Sequence, residues 1–140
     1  MQYAKMFLTI AVLVMVCITC GCARTEGNVQ RYGCVIGVRQ DRIEDYKKIH
    51  AEVWPGVLAL LRECNIRNYS IYLGEVAPDQ YYLFSYFEYA GDDFEKDMEK
   101  MKADPTTQKW WELCDPMQSP VPTRREGEWW HVMEEVFYTD

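Results

Sequence analysis

From residue 31 onward the apolar and polar positions change their period several times, and each change marks an element. The stretch "RYGCVIGVRQ" (31–40) is β-branched and apolar before it turns polar, which predicts a strand. In "DRIEDYKKIHAEVWPGVLALLREC" (41–64), Ile43, Tyr46, Ile49, His50, Val53, Val57, Leu60 and Leu61 recur at spacings of three and four. That is the stripe of an amphipathic helix, with Asp41 placed to cap its start. Pro55 removes a backbone donor and pushes Trp54 out of the helical region, so a kink or break is expected at 54–56. Two strands follow, "IRNYSIYLGE" (66–75) and "YYLFSYFEY" (81–89), joined by the turn formers of "APDQ" into a hairpin. The segment 91–104 returns to helical spacing with Phe94, Met98 and Met101 on one face, and Pro105 restarts the chain as a short helix, "PTTQKWWELCD". A loop with three prolines (116–128) then leads into a closing strand over 129–139.

The order β-α-β-β-α-(α)-β is that of a ferredoxin-like, split βαβ sandwich in the α+β class. One small sheet with helices on a single face leaves its other face bare. Here the strands are rich in aromatics, so that face is expected to pack on a second copy, as a homodimer of the dimeric α+β barrel type.

The first residues do not belong to this domain. "MQYAK" carries a positive charge, and "MFLTIAVLVMVCIT" is an apolar run of about 14 residues, short for a bilayer span and suited to an export signal. Thr19-Cys20-Gly21-Cys22 resembles a bacterial lipobox, with Cys22, preceded by Gly21, as the lipidated residue. The expected organisation is an export signal of lipoprotein type (1–21), a linker (22–30) and one α+β domain (31–140). The protein is then exported to the periplasm or outer surface, with a lipid anchor as its sole membrane attachment.

Composition narrows the chemistry. The net charge is −7, and no basic patch with interleaved aromatics is present, so nucleic acid is not an expected partner. There is no Gly-rich phosphate loop. Of the six cysteines, Cys17, Cys20 and Cys22 sit in or beside the leader, leaving Cys34, Cys64 and Cys114. Three thiols without a CxxC pair suggest buried side chains rather than a zinc site or disulfide framework. No third ligand at suitable spacing accompanies the two histidines. Ten Tyr, five Trp and five Phe are many for 140 residues, and Tyr and Trp serve cores and sugar-binding surfaces equally well.

Two histidines remain as candidates for proton chemistry. His50 lies on the apolar stripe of the first helix, one turn after Tyr46, and His131 lies in the closing strand behind Trp129 and Trp130. Taken alone, His50 reads as a satisfied core residue and Tyr69 as strand packing. Trp110 and Trp111 raise a different question, since neighbours on a helix point about 100° apart and cannot share the centre of one stripe.

Three blocks, "EDYKKIHAEVWPGVLALLRECNIRNYSIYL", "TTQKWWELCDPM" and "MEEVFYTD", resemble in order the L-rhamnose mutarotase family. Its most specific pieces are Y-x-x-x-H-x-x-x-W-P, N-Y-S-I-Y-L and the K-W-W doublet, and the resemblance spans residues 31–140. It implies a dimeric ferredoxin-like fold with the last strand exchanged or paired between subunits. It also implies an enzyme that interconverts the α and β anomers of L-rhamnose, or a related 6-deoxyhexose, without a cofactor. By the same resemblance His50 is the general acid, and Tyr46, Tyr69, Trp110 and Trp111 hold the sugar. The group that handles the anomeric hydroxyl stays open among Tyr46, Tyr69 and a water. The export signal departs from the expected cytoplasmic setting and leaves the preferred sugar open, L-fucose included. Two rival readings share these features: a sugar-binding or regulatory lipoprotein without turnover, and a small dimeric α+β-barrel monooxygenase.

Overall fold

A computed structural model describes residues 29–139; the apolar leader and Cys22 lie outside them. Five strands and four helices are present among the described residues. Strand β1 (Gln30–Val38) leads through a short 3-10 turn into α1 (Ile43–Ala51) and α2 (Pro55–Glu63). The hairpin of β2 (Ile66–Ala77) and β3 (Gln80–Tyr89) follows, then α3 (Phe94–Ala103) and α4 (Pro105–Cys114). Two short strands, β4 (Gln118–Ser119) and β5 (His131–Met133), close the chain. The antiparallel sheet runs β2-β3-β1, and β4 and β5 share the free edge of β1. This is the ferredoxin-like order, in which the first strand is central and the last returns beside it.

The helix-facing side of the sheet follows from register. Cys34 lies opposite Ser85 and Ile36 opposite Leu83, and Ile71 and Leu73 face the same two β3 residues from β2. Ile36, Val38 and Leu83 pack with Tyr46 of α1 and Met117 into one buried cluster. A second cluster joins Val57 of α2 to Trp110 and Cys114 of α4. Cys34, Cys64 and Cys114 are all free and buried, as expected of three thiols without a CxxC pair.

Several local expectations need correction. Asp41 does not cap α1; it sits in the 3-10 turn with its carboxylate drawn to the Arg39 guanidinium at 2.9 Å. The Pro55 irregularity is a full break rather than a kink: α1 stops at Ala51, and Pro55 is the first residue of α2. A proline fits there because the first turn's N–H groups have no helical partner. Helix α3 begins at Phe94, not at 91, because the Asp93 side chain accepts from the Lys96 N–H and fixes the start. The segment 116–128 is not all loop, since it includes β4.

The closing strand is far shorter than 129–139. In the β5 register Val35 lies opposite His131 and Gly33 opposite Met133, so Val136 would fall opposite Gln30, where β1 begins. Residues past that point have no strand to pair with. The tail is tied down instead by side chains, with Arg31 donating to both Glu135 oxygens (2.8 and 3.0 Å) and lying over the Tyr138 ring.

Candidate functional site

His50 ends up where a helix face meets the sheet. Its ring stacks on Tyr46 one turn earlier, with centroids 4.0 Å apart, and meets the edge of Trp110 at 5.3 Å. Nδ1 lies 2.9 Å from the Tyr46 carbonyl oxygen. A carbonyl only accepts, so Nδ1 carries the hydrogen and the neutral ring keeps its lone pair on Nε2. Burial pushes the His50 pKa below its ordinary 6.5, with the carbonyl bond opposing that shift in part. At neutral pH the residue is therefore an uncharged imidazole ready to take a proton.

The tyrosines shift the other way. Tyr46 is buried, and its phenol is raised far above the ordinary value of 10, chiefly by loss of water and further by Tyr69 and Cys114 nearby. Tyr69 runs from an exposed base on β2 to an enclosed hydroxyl. Its residue-wide exposure of 44% thus coexists with a phenol that burial pushes up to about 12. For proton chemistry the enclosed end is the relevant one. A bulge between Arg67 and Ser70, with Asn68 at positive φ, precedes the regular part of the strand. Tyr69 meets Phe87 edge-on at 5.7 Å. Both phenols remain protonated across the physiological range and are hydrogen-bond donors.

Beside His50 and Tyr46, with Ile43, Lys47, Ile71 and Leu83 also in its wall but not Tyr69, Trp110 or Trp111, opens a cavity of about 320 Å³. That is near the lower limit for small-molecule sites and suits a monosaccharide. A larger hollow of about 400 Å³ lies round α1, between Arg42, Glu52, Trp54 and Trp110. It contains neither His50 nor a tyrosine, and its titratable lining is Arg42, Asp45, Lys48 and Glu52.

The tryptophan pair splits. In α4 the buried positions are Thr107, Trp110 and Cys114, and the Asp104 carboxylate caps the helix by accepting from the Thr107 N–H at 2.7 Å. Trp110 is 6% exposed and wedged edge-on against both His50 and Trp54. Trp111 is half-buried, a flank of the Val57–Trp110–Cys114 cluster. His50, Tyr46, Tyr69 and Trp110 are thus brought together, and Trp111 sits one step round α4.

A model of the L-rhamnose mutarotase family matches residues 31–139. The chain belongs to that family. It is an enzyme of the carbohydrate isomerase class. Among its relatives is an L-rhamnose mutarotase from Oceanobacillus iheyensis, 33% identical over 118 residues, covering 80% of this chain and all of that one. Another from Bacillus subtilis is 31% identical over the same coverage. A crystal structure of an L-rhamnose mutarotase from Formosa agariphila superposes with a TM-score of 0.59 at 22% identity, covering 79% of this chain and 99% of that one, and shares the fold.

Two other residues of the family domain escaped sequence reasoning. Gln118 is buried and its side-chain oxygen accepts from Trp129 Nε1 at 2.7 Å, yet it sits in a proline-rich segment without periodicity. Ser85 is buried opposite Cys34, and only strand alternation hinted at its direction. His131 is placed on the sheet's outer face, paired with Val35, away from His50 of the same chain.

Proposed function

We propose that the protein interconverts the α and β anomers of L-rhamnose or a related 6-deoxy sugar, with His50 as the group that moves the proton. The observation that carries this reading is the His50 Nδ1 bond to the Tyr46 carbonyl, which leaves Nε2 basic beside a monosaccharide-sized cavity. In ring opening, Nε2 takes the proton from the anomeric hydroxyl. The electron pair of that O–H forms the aldehyde C=O as the bond from the anomeric carbon to the ring oxygen breaks. Both oxygens sit on one carbon, so the imidazolium then hands its proton to the former ring oxygen, which makes it the general acid of the same cycle. After rotation about the bond to the aldehyde carbon, the reverse steps close the ring on the other face. Tyr46 and Tyr69 keep their protons and donate hydrogen bonds to the oxygen on which charge builds. The apolar patch of a 6-deoxy sugar, its ring C–H groups and methyl, matches the aromatic and aliphatic lining.

Saturation transfer between the two anomeric protons of L-rhamnose tests this directly. The protein is expected to accelerate exchange above the buffer rate, with L-fucose run beside it to rank the sugars. Binding of the sugar without faster exchange would leave a sugar-binding protein instead.

The reading includes a homodimer. Tyr72, Phe84, Val35 and His131 lie side by side across the sheet's outer face, where Tyr72 is 65% exposed. Val136 and Phe137 of the tail are 88% and 79% exposed. Apolar surface of this kind on a bare sheet supports pairing with a second copy. Light scattering should give twice the chain mass, and Tyr72→Asp with Phe137→Asp should halve it; a wild-type monomer at high concentration ends this part of the proposal.

A further inference from the structure

The wall of the smaller cavity is divided by chemistry. Its sheet side is aliphatic throughout, with Val38 of β1, Ile71 and Leu73 of β2 and Leu83 of β3. Helix α1 supplies Ile43, Tyr46, Lys47, His50 and Ala51, whose spacings of three and four put them on one helix face. Val38 and Leu83 are buried, whereas Lys47, Ala51 and Leu73 are exposed. The cavity is therefore apolar at its floor and opens beside Lys47.

A 6-deoxyhexose in this space needs more partners than the proton step supplies. Its methyl group belongs on the aliphatic floor, which turns the hydroxyls on carbons 2 to 4 toward the mouth. A hydroxyl taken out of water without a partner is costly. Three lining side chains carry polar atoms: Tyr46, His50 and Lys47. The first two attend to the anomeric centre, which leaves Lys47 for the remaining hydroxyls. Its ammonium has three hydrogens to donate. Glu44 accepts one at 2.7 Å, and Lys47 makes no other side-chain hydrogen bond among the described residues. Both side chains of this pair are more than half exposed, so the ion pair holds the ammonium only weakly.

We propose that Lys47 is a sugar-binding residue, donating across the cavity mouth to a hydroxyl on carbons 2 to 4 while the methyl group lies against Val38, Ile71 and Leu83. This rests on the mutarotase reading, and it adds a contact from a position that the Y-x-x-x-H motif leaves open. Those hydroxyls keep their bonds while the ring opens and closes. The contact therefore holds substrate and transition state alike and acts through KM.

Saturation transfer on L-rhamnose, read as KM and kcat, tests it. Lys47→Met keeps the stem and loses the ammonium, and is expected to lower kcat/KM about tenfold, with most of the loss in KM. Lys47→Arg should recover most of that. Glu44→Gln breaks the ion pair but leaves the ammonium, so KM should move by no more than about twofold. If the pair matters only as a brace of α1, Glu44→Gln and Lys47→Met fall alike and lower the melting temperature together, which overturns the proposal. Deoxy analogues name the contacted hydroxyl. One of 2-, 3- and 4-deoxy-L-rhamnose should bind wild type about tenfold more weakly than L-rhamnose and lose nothing further in Lys47→Met. Losses that add for all three analogues overturn the proposal. Methyl α-L-rhamnoside cannot open its ring, so its affinity by NMR titration reports Lys47 without turnover. Wild type that binds this glycoside more tightly than Lys47→Met does, yet fails to speed anomer exchange, defeats the functional reading and leaves the contact standing. Wild type that binds neither sugar overturns both.

Discussion

Replacing His50 by alanine lowers anomer exchange about 10²- to 10⁴-fold, the usual contribution of a positioned acid/base group near neutrality, and leaves sugar affinity within several-fold. The ring is the sole imidazole lining the cavity, and its Nε2 is the atom left free by the Tyr46 carbonyl. The pH profile carries the sign of the mechanism. Burial depresses the His50 pKa below 6.5, so the basic form is lost only as pH falls beneath that value, and activity is flat through neutrality. The tyrosines are raised above 10, so loss of their hydrogens limits activity only at strongly alkaline pH. His131→Ala provides the control, since that residue sits on the opposite face of the sheet and should lose little. Saturation transfer at several pH values measures both. Near-wild-type exchange in His50→Ala, or an acid limb that survives the substitution, assigns the proton step to another group.

Trp110→Ala is expected to destabilise the fold by about 3–5 kcal/mol, the cost of emptying a large aromatic site. Set against about 5–15 kcal/mol of total stability, that lowers the melting temperature by roughly 10–20 °C. The indole is 6% exposed and braces His50, Trp54 and the Val57–Cys114 cluster at once. Trp111→Ala should do the reverse: the half-buried ring leaves a smaller hole, so the fold survives, while affinity for the 6-deoxy sugar falls and its fluorescence response diminishes. Calorimetry and a fluorescence titration separate the two. If both variants melt together and neither, when folded, changes affinity, the doublet is core throughout and the sugar contacts lie elsewhere. The expected pair of outcomes settles the puzzle of adjacent tryptophans: the inner one builds the floor that holds His50, and the outer one is free to meet a ligand.

Much of this was legible along the chain because it depends on period. The apolar, β-branched and aromatic runs "RYGCVIGV" and "YYLFSYFEY" marked two strands, and the three-and-four spacing of Ile43, Tyr46 and His50 placed a phenol and an imidazole on one helix face, where they stack. Pro55 marked its own discontinuity, since a missing donor and a steric clash are properties of the residue itself. The family motifs lie on these same elements, which is why site residues and fold were read together. Tertiary structure decided what period cannot express. The closing strand cannot run on to 139 because its partner β1 begins at Gln30, opposite Val136, a limit set by a residue about a hundred positions away. Met117 packs with Tyr46 only because the chain after α4 returns beside β1, with Gln118 paired to Val38. Even the protonation state of His50 was hidden: a histidine at position 50 follows from the sequence, but its basicity depends on the water that packing excludes and on the carbonyl that claims Nδ1.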